Sequence, residues 1–253
     1  MIKELTFPKD IPDFINCYFK LPIAGKKIRC PYYKNDGKSK IKFGERISIG
    51  KGSPQEIVLA VEKLVIKTKK SLKKWSAEEL RNLMKKNMIG VDCSGFVCWV
   101  LDSWCQEKFG GKHLWQKLKI SATPLKRLRY LIRPIENLDV KTIINCQNSR
   151  TILRATEIEP GDLIHINLHH ILIVNKVNKN SQGKTKSISY CHSSDYYDGV
   201  HHGEIRVKDI NGGLEKQVWI EGGKNNNHTF REYLRLEKSG VVRLNIFNKS
   251  YEH

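Results

Sequence analysis

The sequence predicts an α+β fold, with a helical N-terminal part preceding an antiparallel sheet. Two patterns carry this. Apolar residues recur at helical spacing between Ile57 and Trp104, whereas beyond Glu159 short β-rich runs are separated by turn residues. No repeat of fixed period runs along the chain, which sets solenoids aside. With 253 residues the chain is long enough to bury a sizeable core without disulfide staples.

Residues 1–53 are basic and rich in turn formers, notably around Pro31-Tyr32-Tyr33-Lys34 and Gly50-Lys51-Gly52-Ser53, and predict mostly loop with short strands. This segment is expected to contribute to the same domain as residues 54–253, which carry a helical insertion at about 54–88. The first helix starts at Ser53-Pro54, a cap followed by a proline suited to the first turn, and places Ile57, Val58, Val61, Leu64 and Val65 on one side. Ser76-Ala77-Glu78-Glu79 is a capping box opening a second helix with Leu80, Leu83 and Met84. The lysine-rich run 67–74 reads as a solvated face.

A third helix from Asp92 to about Lys108 is apolar nearly all round, through Phe96, Val97, Trp99, Val100, Leu101 and Trp104, and is therefore expected to be buried. Gly110-Gly111 ends it, and one or two short helices follow between Leu114 and Pro134. Pro160-Gly161-Asp162 is a turn leading into strands at 163–167 and 170–177. Further strands are expected at 187–191, 204–207, 217–220 and 241–247, with a hairpin turn at 181–184 and a loop at 225–227.

Lysine and arginine total 45 against 26 acidic residues, a net charge of +19. That balance points to an anionic partner or surface such as nucleic acid, an acidic wall polymer or lipid headgroups, and charge alone does not say which. No nucleic-acid motif accompanies the charge, so a basic binding module is the lesser reading. Seven cysteines at irregular spacing suit reduced thiols better than a disulfide framework. Asp10, Asp13 and Lys20 interrupt the apolar residues of the N-terminus, so no secretory signal is expected there, and no run is long enough to span a bilayer.

The sharpest feature is Val91-Asp92-Cys93-Ser94-Gly95-Phe96-Val97. A cysteine opening a buried helix faces unpaired backbone N–H groups and the positive end of the helix dipole, which predicts a lowered thiol pKa and a nucleophilic thiolate. The small Ser94 and Gly95 allow a substrate backbone to approach. Such a nucleophile needs a histidine base held by a third polar group. His170 heads the apolar run 171–174, and His192 follows a strand across the expected hairpin, where it can orient the ring of His170. The adjacent His169 points to the opposite strand face and is the weaker candidate. His165, His201 and His202 read as surface residues, the last two near Asp195 and Asp198 at a substrate rim.

The motif Asp92–Val97, the turn Glu159-Pro160-Gly161-Asp162-Leu163, His170 opening an apolar strand, and His192-Ser193-Ser194 together resemble the NlpC family of papain-like cell-wall cysteine peptidases. This resemblance implies a papain-like fold in which the nucleophile helix packs on an antiparallel sheet. It implies Cys93 as nucleophile, His170 as general base and then acid, and His192 as the orienting residue. The upstream pair Pro31-Tyr32 resembles the family's proline-tyrosine element and implies a Tyr32 hydroxyl near the oxyanion, with Tyr33 as the alternative and Asp92 and Ser94 as flanking substrate-side residues. The 60 positions from Tyr32 to Asp92 and the 22 from His170 to His192 both exceed the family's usual gaps. The implied activity is hydrolysis of an amide bond in peptidoglycan stem peptides. An amidase or acyltransferase acting on another substrate with the same pair is the alternative. Such a pair needs no cofactor. His165, His169, His170, Cys191 and His192 have zinc-ligand chemistry, but their spacing matches no zinc motif, so no metal is expected.

Overall fold

The structure is a computed structural model that describes residues 3–34, 46–68, 74–120, 123–222 and 227–248. It is a mixed α+β fold. The chain runs β1 (Lys3–Thr6), α1 (Asp10–Phe19), β2 (Leu21–Ile23), β3 (Lys26–Ile28), α2 (Pro54–Lys67), α3 (Ala77–Lys86) and α4 (Cys93–Lys108). Short helices α5 (Leu114–Lys117), α6 (Pro124–Ile132), α7 (Pro134–Asn137) and α8 (Val140–Ile143) follow. The sheet half comprises β4 (Ser149–Ile152), β5 (Leu163–Ile166), β6 (His170–Lys179), β7 (Thr185–Ser194), β8 (Gly199–Arg206) and β9 (Val218–Glu221), and the chain ends with α9 (His228–Arg235) and β10 (Gly240–Leu244).

The main sheet has the order β4-β10-β5-β6-β7-β8-β9, with β1 joined to the far end of β6, and all its pairings are antiparallel. One face, with Leu163, Ile171, Ile173, Cys191, Val200 and Val242, packs on α4 and the other N-terminal helices to form the larger core. The opposite face carries Leu172, Val174, Ile188, Tyr190, Ile205 and Trp219, and the smaller core there includes Tyr233 of α9. Among the described residues, no helix is long and apolar enough to cross a membrane.

The caps at α2 and α3 form as the sequence requires. Ser53 and Ser76 each accept the N3 amide, while Glu56 and Glu79 accept the cap amide in return. The expected insertion is not an appendage, because Ile57, Val61, Val65, Leu80 and Met84 belong to the larger core. Residues 69–73 of the lysine run, and 225 and 226 of the asparagine loop, lie outside the described residues.

The expectation of mostly loop before residue 54 is corrected. Ile11, Ile15 and Tyr18 form a buried stripe on α1, and Pro12 sits in its first turn, where no amide hydrogen bond is lost. The N-terminal strand β1 also joins the sheet, so the order is not helices first and strands afterwards. Residues 245–247 leave the strand for a 3-10 turn, and α9 interrupts the sheet half.

The Pro160-Gly161-Asp162 turn is anchored to α4. Gly161 has φ +94° and its Cα lies against the ring of Trp104, so neither the backbone angle nor the space admits a side chain. The carboxylate of Asp162 is gripped by the Arg243 guanidinium at 2.6 and 2.8 Å.

Candidate active site

Cys93 is the first residue of α4, and its neighbour Asp92 is the cap, accepting the Gly95 amide through Oδ1. This geometry fits the motif's small residues: a Cβ on Gly95 would collide with the Gly50 carbonyl. Asp92 and Ser94 are both buried and their side chains are committed to one another. Ser94 Oγ donates to Asp92 Oδ1 at 3.0 Å, and the ammonium of Lys51 reaches Asp92 Oδ1 at 3.3 Å and Ser94 Oγ at 2.5 Å. Their place is at the start of α4, which they hold. Lys51 is itself buried, and Asp92 and the sulfurs of Cys98 and Cys93 favour its charged form. Sequence reading missed it, because one lysine among many carries no signal of burial.

The sulfur of Cys93 lies against the first residues of β6. It is 3.9 Å from the His169 carbonyl oxygen, and the Ile171 amide faces it from the other side of His170. His169 itself is exposed. The half-buried ring of His170 is held by His192, with Nε2 and Nδ1 2.7 Å apart. Strand register produces this pair. Ile173 lies opposite Cys191, which sets His170 and His192 diagonally across β6 and β7, within reach of two imidazoles. The long hairpin between them merely extends both strands beyond the site.

Tyr32 is brought to the Cys93 segment despite its distance in sequence. It bridges Val91 in parallel fashion, with the Val91 amide donating to the Pro31 carbonyl at 3.1 Å, so the intervening segment returns to its starting point. Burial raises the pKa of the Tyr32 hydroxyl, and the nearby Cys93, Asp92 and Asp195 add to the rise. Tyr33 points elsewhere, its hydroxyl 3.6 Å from the Met88 sulfur. Ser193 closes the arrangement from β7 by donating to the Val91 carbonyl at 2.6 Å.

The electrostatics depart from the expectation of a thiolate. Burial pushes the Cys93 thiol up to about 11, with Asp92 adding to the rise; Lys51 and the amides of Ile171 and Ser94 pull the other way without prevailing. Burial also lowers His170 to about 4 and holds His192 well below the ordinary histidine range. The helix terminus does favour negative charge, but desolvation of the sulfur outweighs it here. These directions favour the neutral thiol of Cys93 and the neutral imidazoles of His170 and His192. Alkylation of Cys93 by iodoacetamide is therefore expected to accelerate continuously from pH 7 to above pH 9, and the exposed Cys146 to react ahead of it at neutral pH. Peptide mapping across pH checks this; early reaction of Cys93 with a plateau near pH 6 would mean that a thiolate–imidazolium pair prevails.

Behind His192 stands Glu221 at the end of β9, a residue that sequence reading passed over. Its carboxylate is buried, accepts the Tyr190 and Tyr197 hydroxyls at 2.6 Å each, and takes the Thr229 amide at 3.0 Å. His192 Nε2 lies 3.9 Å from Oε1, beyond a hydrogen bond. A concavity of about 640 Å³ between α2 and the end of α6 includes none of Cys93, His170 or His192 in its lining. No family model, curated protein or solved structure matches this chain.

Proposed function

We propose that this chain is a cysteine amidohydrolase of papain-like type that cleaves an amide bond in peptidoglycan stem peptides, as its resemblance to the NlpC family implies. The observation that carries the reading is the 2.7 Å pair of His170 Nε2 and His192 Nδ1, set on the strand whose first backbone groups flank the sulfur of Cys93. Three separate stretches of sequence converge there, as nucleophilic catalysis by a base-assisted thiol requires.

With Nε2 engaged by His192, the free nitrogen of His170 is Nδ1. As the sulfur of Cys93 attacks the substrate carbonyl, the thiol proton passes to Nδ1. This forms the ion pair only when substrate is present. The developing oxyanion is held by the Cys93 amide, with the Tyr32 hydroxyl as the second donor. Collapse of the tetrahedral intermediate breaks the C–N bond, and His170 gives its proton to the departing amine. Water, deprotonated in turn by His170, then releases the acid and restores the thiol. A formal charge of +19 suits a substrate presented on an anionic polymer, an attraction that salt weakens.

The test is digestion of purified peptidoglycan and its soluble muropeptides, with products identified by mass spectrometry. New amine and carboxylate termini within the stem peptide are expected with the native chain and none with Cys93→Ala. Products that persist in Cys93→Ala, or an intact substrate under all conditions, would reject the reading.

A further inference from the structure

The geometry points to a divalent metal site, suited to zinc, formed by His192 Nε2, His201 Nε2 and the Glu221 carboxylate on the side of the imidazole pair away from Cys93. One ring nitrogen of each histidine and a carboxylate oxygen of Glu221 lie within 4.8 Å of one another. They come from adjacent strands: His192 is directly opposite His201 across β7 and β8, and Glu221 pairs with Gly203, two residues beyond His201 on β8. Gly203 leaves the space that the Tyr190 ring fills, and this brings the Tyr190 hydroxyl onto Glu221.

Two further observations indicate a ligand. His192 Nε2 and His201 Nε2 are both buried atoms without a hydrogen-bond partner, and His192 is fully enclosed. Leaving one such atom unsatisfied is costly; two directed at one carboxylate call for a shared partner. One partner satisfies all three groups at once if it accepts electron pairs from both nitrogens and from the carboxylate, whose other contacts are two hydroxyls and an amide. A divalent cation with borderline preference for nitrogen and oxygen does so. Tetrahedral zinc bonds of about 2.0–2.2 Å set ligand atoms roughly 3.3–3.5 Å apart, so metal binding draws the three groups together by side-chain rotation, from 3.9 Å between His192 and Glu221 and from no more than 4.8 Å for the other pairs. The ring of Tyr197 stacks on His201 at 3.9 Å and holds it in place.

Resting on the proposed mechanism, the site is inhibitory. Without metal, His192 carries its proton on Nε2, and its Nδ1 accepts the Nε2–H of His170. Metal on His192 Nε2 moves that proton to Nδ1, which then donates to His170 Nε2. The single proton of His170 must shift to Nδ1, the atom needed to receive the thiol proton. Proton number is unchanged and the base is blocked.

Cobalt(II), a spectroscopic stand-in for zinc, tests the site directly in the native chain and in Cys93→Ala. Both are expected to bind one equivalent with d–d bands of a low-coordinate nitrogen and oxygen site, without a sulfur-to-cobalt charge-transfer band, and zinc should displace it. His201→Ala and Glu221→Gln should each weaken binding by at least the roughly 10- to 100-fold that loss of even an outer-shell partner costs. Zinc should inhibit amide hydrolysis by the native chain, chelation should restore it, and the inhibitory concentration should rise in His201→Ala by the same factor as the binding constant. No binding, a charge-transfer band lost in Cys93→Ala, unaltered affinity in both ligand variants, or equal inhibition of His201→Ala would each overturn the site. If no hydrolysis is found at all, the mechanism fails and the inhibitory role with it, while the cobalt spectra still decide whether the metal binds.

Discussion

Replacing His170 with alanine is expected to lower turnover by about 10²–10⁴-fold, the range that general base catalysis contributes. His169→Ala is expected to leave turnover within a few-fold of native, because that side chain is exposed and only its backbone carbonyl approaches Cys93. Steady-state kinetics on a muropeptide decide this, with circular dichroism to confirm that both variants fold. In His170→Ala the Michaelis constant should change little, since the imidazole acts on the proton and not on substrate binding. Equal losses in both variants would move the base away from His170.

Replacing Lys51 with methionine is expected to destabilise the fold by about 3–5 kcal/mol, the cost of removing one partner from a buried ion pair. For a chain of this size that corresponds to a melting temperature lower by roughly 6–20 °C. The loss falls on the start of α4, where the Lys51 ammonium sits between Asp92, Ser94 and the Leu138 carbonyl. Without it, Asp92 would cap the helix as a buried carboxylate with no countercharge from lysine. Adding Asp92→Asn to Lys51→Met should recover part of the stability, since an amide still accepts the Gly95 hydrogen bond without a charge to bury. Thermal melts of both single variants and the double variant measure the coupling. Additive losses would show that the two side chains act independently.

Local chemistry in the sequence reached far into this fold. The capping boxes at Ser53 and Ser76, the apolar helix after Asp92, the turn at Pro160-Gly161-Asp162 and the strand runs beyond it are all short-range patterns. Backbone geometry reads such patterns directly, because capping, helical periodicity and alternation act between residues a few positions apart. The pairing of His170 with His192 was also legible, because one hairpin relates the two.

What tertiary structure alone decided involves residues far apart in the chain or states set by burial. Tyr32 joins the Cys93 segment through a bridge to Val91, and Lys51 enters the helix start from a loop 41 positions before Asp92. Glu221 meets His192 only because β7, β8 and β9 lie side by side. The protonation state of Cys93 follows the same logic. Its position at a helix terminus, visible in the sequence, favours a thiolate, but the desolvation that reverses this preference comes from strands and loops folded over the sulfur.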